Sequence, residues 1–250
     1  MVLPRLYPIV DAACFTDNQA MLTAAEQLAA AGCTLLQYRN KSGNARVMLE
    51  QARELKRVVY SHPNVGKNAT FGQGAQGRLS PQDQNPHFWQ NRPEVGHPTT
   101  DSFDRARGSV RLIMNDRADL CLMAEFGGVH VGQEDLSPEA VRAIIGPARW
   151  LGVSTHNPEQ LREADLTSAD YLAIGPVFAT SSKETPDPVV GLEGVRRARA
   201  LTRKPLVAIG GITRANAASV IEAGADSVAV ISDLLREPRK SAEEFLRILR

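Results

Sequence analysis

Cysteine is scarce in this 250-residue chain, and the three that occur, Cys14, Cys33 and Cys121, are too few and too far apart to form a framework. Their number is odd and no Cys-x-x-Cys pair exists, so they read as reduced core residues of a cytosolic protein, not as disulfides or zinc ligands. Long apolar runs are missing too. Nothing approaches the ~18 residues of a membrane helix, and the first apolar stretch, Tyr7–Val10, is cut short by Asp11, which is unlike a secretory signal. An excess of either charge is also lacking: 29 Lys and Arg face 28 Asp and Glu, interspersed along the chain. A nucleic-acid partner would call for a basic stripe or patch. These absences exclude a membrane protein and a nucleic-acid binder, and they point to a cytoplasmic protein. The length suits one large α/β domain with a sizeable core.

What is present is an alternation of short apolar runs with amphipathic segments. The runs predict strands at Leu6–Val10, Cys33–Tyr38, Val110–Met114, Gly128–Val131, Trp150–Ser154, Tyr171–Ile174, Pro205–Ile209 and Ser227–Ile231. Between and after them, helices are expected over Asn18–Ala31, Val47–Tyr60, Ala118–Phe126, Ser137–Ile145, Pro158–Ala164, Glu193–Leu201, Arg214–Ala223 and Ala242–Leu249. Apolar residues at spacings of three and four (Met48, Ala52, Leu55, Val59) mark the second helix, Gly32 stops the first, and Ser137 caps the fourth. Unbroken apolar strands are those buried on both faces, as in parallel sheets covered by helices. Eight strand–helix repeats predict a single-domain (β/α)₈ TIM barrel over residues 1–250, with a doubly wound sheet as the rival.

One stretch breaks the pattern. Residues 61–108 contain Pro63, Pro81, Pro86, Pro93, Pro98 and six glycines, with only Val65, Leu79 and Val95 as aliphatic residues. Such a segment lacks the apolar surface to offset its ordering entropy, so it reads as a mobile polar insertion between the second helix and the third strand.

In a barrel, catalysis sits on the loops that follow the strands. Those positions here carry Asp11; Gln37, Arg39 and Lys41; Asn115 and Asp116; His130, Gln133, Glu134 and Asp135; Ser154, Thr155 and His156; Gly175-Pro176 and Thr180–Lys183; Gly210-Gly211; and Ser232. If the third and fourth strands are parallel neighbours, Asp116 and the Glu134-Asp135 pair converge on one edge. One or two carboxylates plus substrate phosphates are what a Mg²⁺ site commonly uses. The competing reading is ordinary loop carboxylates paired with Arg39 or Arg117. Gln37, Arg39 and Lys41 alternate onto one face and suit a diphosphate, unless they are solvated surface charge. Gly210-Gly211-Ile212-Thr213 leads straight into the predicted helix at Arg214, whose N-terminal N–H groups and dipole would favour a phosphate. His130, between Val129 and Val131, is expected to be an interior hydrogen-bonded histidine and not a catalytic one. No Ser-His-acid arrangement is visible.

Several motifs resemble the thiamine phosphate synthase family: Gln37-Tyr38-Arg39-Asn40-Lys41, Ile113–Arg117, Gly128–Asp135, Gly152–His156, Asp170–Phe178, Thr180–Lys183 and Ala208–Ile212. They run in the family's order over the whole chain apart from the insertion. The resemblance implies joining of hydroxymethylpyrimidine diphosphate to thiazole phosphate, giving thiamine phosphate and diphosphate. It implies that Gln37, Tyr38, Arg39, Asn40, Lys41 and Asn115 hold the pyrimidine diphosphate. Asp116 and Asp135 would hold Mg²⁺ on the leaving diphosphate, completed by Ser154 and Lys183, with Glu134 a neighbour. Thr180, Ser181, Ser182, Gly211, Ile231 and Ser232 would contact the thiazole phosphate. Arg39, Lys41, Ser154 and Lys183 are the catalytic candidates, in a dissociative reaction that needs no side-chain nucleophile.

Two departures from the family pattern stand out. Ala179 replaces a usual Pro, and Gly127 replaces a common acid before Gly-Val-His. Neither is expected to cost metal binding. The rivals are a thiazole tautomerase-like paralogue and a non-catalytic ligand-binding regulator on the same barrel. The small-molecule substrates are the only partners the sequence implies, and homo-oligomerisation is left open.

Overall fold

A computed structural model describes residues 1–61, 110–180 and 187–250. All of the 61–108 stretch except Ser61, together with Ser181, Ser182 and Lys183, lies outside the described residues. Eight parallel strands close into a barrel in sequence order: β1 Leu6–Asp11, β2 Leu35–Arg39, β3 Arg111–Asn115, β4 Gly128–Val131, β5 Trp150–Thr155, β6 Tyr171–Ile174, β7 Leu206–Ile209 and β8 Ser227–Val230. The doubly wound alternative is excluded by the pairing of β1 with β8, which sets Leu6 beside Val228.

The helices are α1 Asn18–Ala30, α2 Ala45–Ser61, α3 Ala118–Met123, α4 Pro138–Ile145, α5 Pro158–Asp165, α6 Gly191–Leu201, α7 Ala217–Glu222, α8 Ser232–Leu235 and α9 Pro238–Ile248. Their caps are local. Asp17, Ser137 and Asn157 each accept a backbone N–H of the first turn, and Pro138 and Pro158 open their helices, where no amide partner is lost. Among the described residues, no helix is long and apolar enough to cross a membrane.

Strand alternation divides the core in two. Tyr7, Ile9, Leu35, Ile113, Tyr171, Ala173, Val207 and Ala229 fill the barrel, while Leu6, Val10, Leu36, Leu112, Val129, Leu151 and their neighbours pack outward against the helices. Cys33 and Cys121 join the outer layer as expected, and burial raises both thiols to about 12. Cys14 does not: the 3₁₀ turn Ala12–Cys14, capped by Asp11, leaves it exposed.

Several expected boundaries move for identifiable reasons. The helix expected to reach Phe126 stops at Met123, because Glu125 takes a left-handed φ of +53°. The amides of Glu125 and Phe126 then bond back to Leu122 and Cys121, a Schellman closure that tucks Phe126 into the core. The helix expected from Arg214 begins at Ala217, because Asn216 folds its side chain back over the loop, accepting from Thr213 N and donating to Gly211 O. The last helix starts earlier than expected, at Pro238, and the four-residue α8 was not anticipated at all.

Candidate active site

The strands deliver their polar residues to one rim. On β2, alternation turns Gln37 inward, and its Nε2 donates to the Tyr7 hydroxyl at 2.9 Å. Arg39, opposite Asp11 in the β1–β2 register, forms an ion pair with that buried carboxylate. Lys41 continues along the same face and pairs with Asp116 at the end of β3. Tyr38 and Asn40 alternate the other way. The Tyr38 hydroxyl donates to Gln51 Oε1 on α2 at 2.8 Å, and Asn40 Nδ2 donates to the same oxygen at 2.8 Å. Their side chains brace β2 against α2 and are not part of the rim cluster.

Asp116 sits in a left-handed conformation, φ +62°, its amide bonded to His130 O at 2.8 Å. Burial raises its carboxyl above the usual carboxylate range, the Asp135 carboxylate adds to the rise, and Lys41 opposes it. The structure therefore does bring Asp116 and Asp135 together. Asp135 Oδ2 accepts the Gly132 amide at 2.7 Å, which fixes its direction. Glu134 is exposed. The alternative pairing for Asp116 does not occur: Arg39 is with Asp11, and Arg117 is with Asp119. Next to Asp116, Asn115 is buried with its Nδ2 lacking any protein acceptor.

Two crowded carboxylates, one of them pushed towards protonation, form a site that a hard divalent cation would relieve. Among the described residues no group of three or more His, Cys, Asp and Glu gathers for a metal. Two carboxylates fit Mg²⁺ that takes its other ligands from water and phosphate, and they fit a zinc-type cage poorly.

Beyond β4, Ser154 Oγ lies 2.8 Å from His130 Nε2, and Gln133 ties the loop after β4 to the Ser154 carbonyl. His130 is interior as expected, its pKa pushed down to about 4 by burial against the pull of Asp135. His156 hydrogen-bonds the Gly175 carbonyl at 2.7 Å and stands apart from this cluster.

Across the mouth, Gly210 and Gly211 take φ of +99° and +64°. A Cβ on Gly211 would lie 2.6 Å from Ala179 O, so the pair is required by the loop after β6, whose Val177 and Phe178 amides bond to Ile209 and Gly210 carbonyls. The glycines do not lead straight into a helix, as the sequence suggested. A second helix start, that of α8, comes directly after Ile231. Arg214 links the two loops: its amide and guanidinium bond Asp233, and its Nη1 reaches Glu244 on α9. Thr180 is partly buried beside this region; Ser181, Ser182 and Lys183 are outside the described residues.

Three side chains to which the sequence reading gave no specific role enter here. Asp11 is the partner of Arg39, and Tyr7 and Tyr171 share a 3.0 Å hydrogen bond inside the barrel. Strand alternation assigns all three inward, but their pairing is tertiary. Of the two family departures, Gly127 has a packing reason. A Cβ there would lie 2.8 Å from the Arg111 side chain, which lies over Trp150 with its guanidinium carbon 4.2 Å from the ring centroid, at the start of β3 and far from the mouth.

Comparison with known proteins converges on one family. The family model for thiamine monophosphate synthase matches residues 104–234. A thiamine-phosphate synthase of Koribacter versatilis is 52% identical over 250 residues, covering 99% of this chain and 96% of the relative. One from Chloroflexus aurantiacus is 34% identical over 228 residues, covering 91% and 83%. Among solved structures, a thiamine phosphate pyrophosphorylase from Pyrococcus furiosus superposes with a TM-score of 0.69 at 28% identity, covering 98% of this chain and 95% of that one.

Proposed function

The chain belongs to the thiamine phosphate synthase family, and on that premise we propose that it condenses hydroxymethylpyrimidine diphosphate with thiazole phosphate, releasing diphosphate and thiamine phosphate. It is a transferase of thiamine biosynthesis, and residues 1–250 form one barrel domain carrying a polar insertion at 61–108. The observation that supports this most directly is the joining of Lys41 to Asp116, with Asp135 beside it. Three successive strand ends thereby offer both signs of charge to one diphosphate.

In this reading Gln37, Arg39, Lys41 and Asn115 receive the pyrimidine diphosphate. The unpartnered Asn115 Nδ2 supplies a donor that costs nothing to reorganise. Asp116 and Asp135 would hold Mg²⁺, which when bound supplies positive charge to the departing diphosphate. Arg39 is pre-set by Asp11, so its guanidinium approaches the ligand in a defined direction. Lys41, the more exposed partner of Asp116, exchanges that carboxylate for phosphate oxygen when the ligand arrives.

Ser154 hydrogen-bonds the leaving group, and Lys183 carries a further charge to it. As the pyrimidine carbon loses diphosphate it becomes cationic, and the thiazole nitrogen attacks it. The second substrate is oriented by its phosphate, bound by Thr180, Ser181, Ser182, Gly211, Ile231 and Ser232 across the mouth. Tyr38 and Asn40 contribute by holding β2 in place.

No described helix could cross a membrane, which fits a cytoplasmic enzyme. The tautomerase-like and regulator readings are not favoured: the curated relatives that cover most of this chain are synthases. The test is to mix the two phosphorylated substrates with and without Mg²⁺ and to measure thiamine phosphate and diphosphate. Both should appear in equal amounts with metal. Absence of product with metal present overturns the reading.

A further inference from the structure

Inside the barrel, five polar side chains from five different strands form one unbroken hydrogen-bonded chain. Gln37 Nε2 on β2 donates to the Tyr7 hydroxyl on β1 at 2.9 Å. Tyr7 meets the Tyr171 hydroxyl on β6 at 3.0 Å. Tyr171 meets His130 Nδ1 on β4 at 3.1 Å, and His130 Nε2 meets Ser154 Oγ on β5 at 2.8 Å. Gln37, Tyr7, Tyr171 and His130 are all buried, so no bulk water competes for these bonds.

The chain has a direction. An amide N–H can only donate, so the Tyr7 oxygen accepts from Gln37 and its single proton goes to Tyr171. The Tyr171 oxygen in turn accepts, and its proton goes to His130 Nδ1. A hydroxyl accepting on both sides would leave its own proton unpartnered in the interior, which folded proteins avoid. His130 Nδ1 is therefore an acceptor and the ring proton sits on Nε2, where it is donated to Ser154. Ser154 Oγ, having accepted, keeps its own proton for the mouth.

We propose that Tyr171 is a positioning residue: backed by Tyr7 and Gln37, it fixes the Nε2–H tautomer of His130 and so turns the Ser154 hydroxyl outward as a donor to the leaving diphosphate. The proposal rests on the synthase reading for the identity of that acceptor. It assigns His130 no proton transfer, in keeping with burial that pushes the imidazole pKa down. The fold makes room for the arrangement at one place. Gly152 lies beneath both rings, and a Cβ there would come within 2.1 Å of the Tyr171 ring and 2.4 Å of His130 Nδ1. Only glycine lets the two rings stack, centroids 5.6 Å apart and 30° from parallel.

Two measurements test this. In the intact protein carrying ¹⁵N-histidine, the His130 signals, assigned by their loss in His130→Gln, should report a bare Nδ1 and a protonated Nε2. An Nδ1–H tautomer reverses the chain and overturns the proposal. This measurement needs no turnover, so it decides the network even if the wild type makes no thiamine phosphate, the result that would remove the synthase reading instead.

The second is a double-mutant cycle. Tyr171→Phe keeps the ring and removes the link; it should lower kcat about 10–100-fold, as loss of an orienting partner typically does. KM for both substrates should stay within about two-fold, since no ligand contact is removed. In a Ser154→Ala background the same change should have almost no further effect, because residues acting through one another are not additive. Equal losses in both backgrounds mean that Tyr171 does not act through Ser154, and the proposal fails. Tyr7→Phe, which cuts the chain one bond further back, repeats the cycle should Tyr171→Phe not fold.

Discussion

In the proposed function, the two sides of the barrel mouth would bind phosphate by different means. On the β1–β4 side the work is done by side chains: Asp11 with Arg39, Lys41 with Asp116, and Asp135 beside them. On the β7–β8 side the loop offers backbone, shaped by Gly210 and Gly211, and the nearby Arg214 is occupied with Asp233 and Glu244. The contrast fits the role proposed for each half. A leaving diphosphate gains charge as the bond breaks, and concentrated opposite charge lowers that barrier. A phosphate that only anchors its substrate needs fixed geometry and no change in binding strength, which backbone N–H groups supply.

The largest effect is expected from Asp116→Asn, which removes charge from the first side and little else. Asn tolerates the left-handed φ of +62° and keeps the amide bond to His130 O. Turnover should fall about 10²–10³-fold, in the range seen for loss of one electrostatic stabiliser. The Mg²⁺ needed for half-maximal rate should rise, while KM for the thiazole phosphate stays put. Thermal unfolding should be unchanged or slightly later, since a carboxylate raised by burial and a like-charged neighbour is itself destabilising. A variant that unfolds would show that Asp116 serves the fold, and the division between the two sides would lose its main support.

Acid should cost stability through His130. The buried His130 has its pKa lowered to about 4, against the usual 6.5 in an unfolded chain. Between those values the unfolded state binds the extra proton, so this residue's contribution is complete above pH 6.5 and is lost as pH falls towards 4. The full difference corresponds to about 3 kcal/mol. Urea midpoints of wild type and His130→Gln, measured from pH 7 to pH 4, should converge as the wild type loses this term. Parallel curves would mean that the imidazole is not held neutral by burial.

On the second side, Gly211→Ala tests geometry instead of charge. The new methyl would meet Ala179 O at 2.6 Å and the Phe178 Cβ at 2.7 Å, in a backbone region that L-residues avoid. The loop must shift, at a cost of about 1–3 kcal/mol. KM for the thiazole phosphate should rise about ten-fold, one or so kcal/mol of binding, with KM for the pyrimidine diphosphate unchanged. Equal rises for both substrates would show that the two sides are not separate sites.

The two sides also differed in how far they could be read from the chain. Charged residues after strands two, three and four were visible as such, and alternation grouped Gln37, Arg39 and Lys41 correctly. The same alternation places the Tyr38 and Asn40 side chains on the opposite face, against Gln51, a placement the family resemblance alone did not convey. The left-handed Asp116 was invisible, because a non-glycine residue carries no local mark of positive φ. On the second side, α8 is one turn long and has no periodicity to detect. The later start of α7 depends on a side-chain bond from Asn216 to Gly211 that spacing alone does not reveal. The interior chain was hidden for another reason: Tyr7 and Tyr171 are 164 residues apart, and only closure of the barrel brings them together.

The smallest effect is expected where the sequence looks most unusual. Deleting residues 63–104 should leave kcat and KM within about two-fold, because the connection from a helix to the next strand lies at the barrel's far end. The described residues on either side already meet. The Tyr60 hydroxyl near the end of α2 donates to the Val110 carbonyl just before β3 at 2.9 Å, so a short linker can replace the long one without moving either element. Loop closure changes by only about 0.6 kcal/mol per halving of length, which predicts an equal or slightly higher melting temperature. A steep loss of turnover with an unchanged melting temperature would mean that the segment reaches round to the mouth, and a third contributor would have to join the two sides compared here.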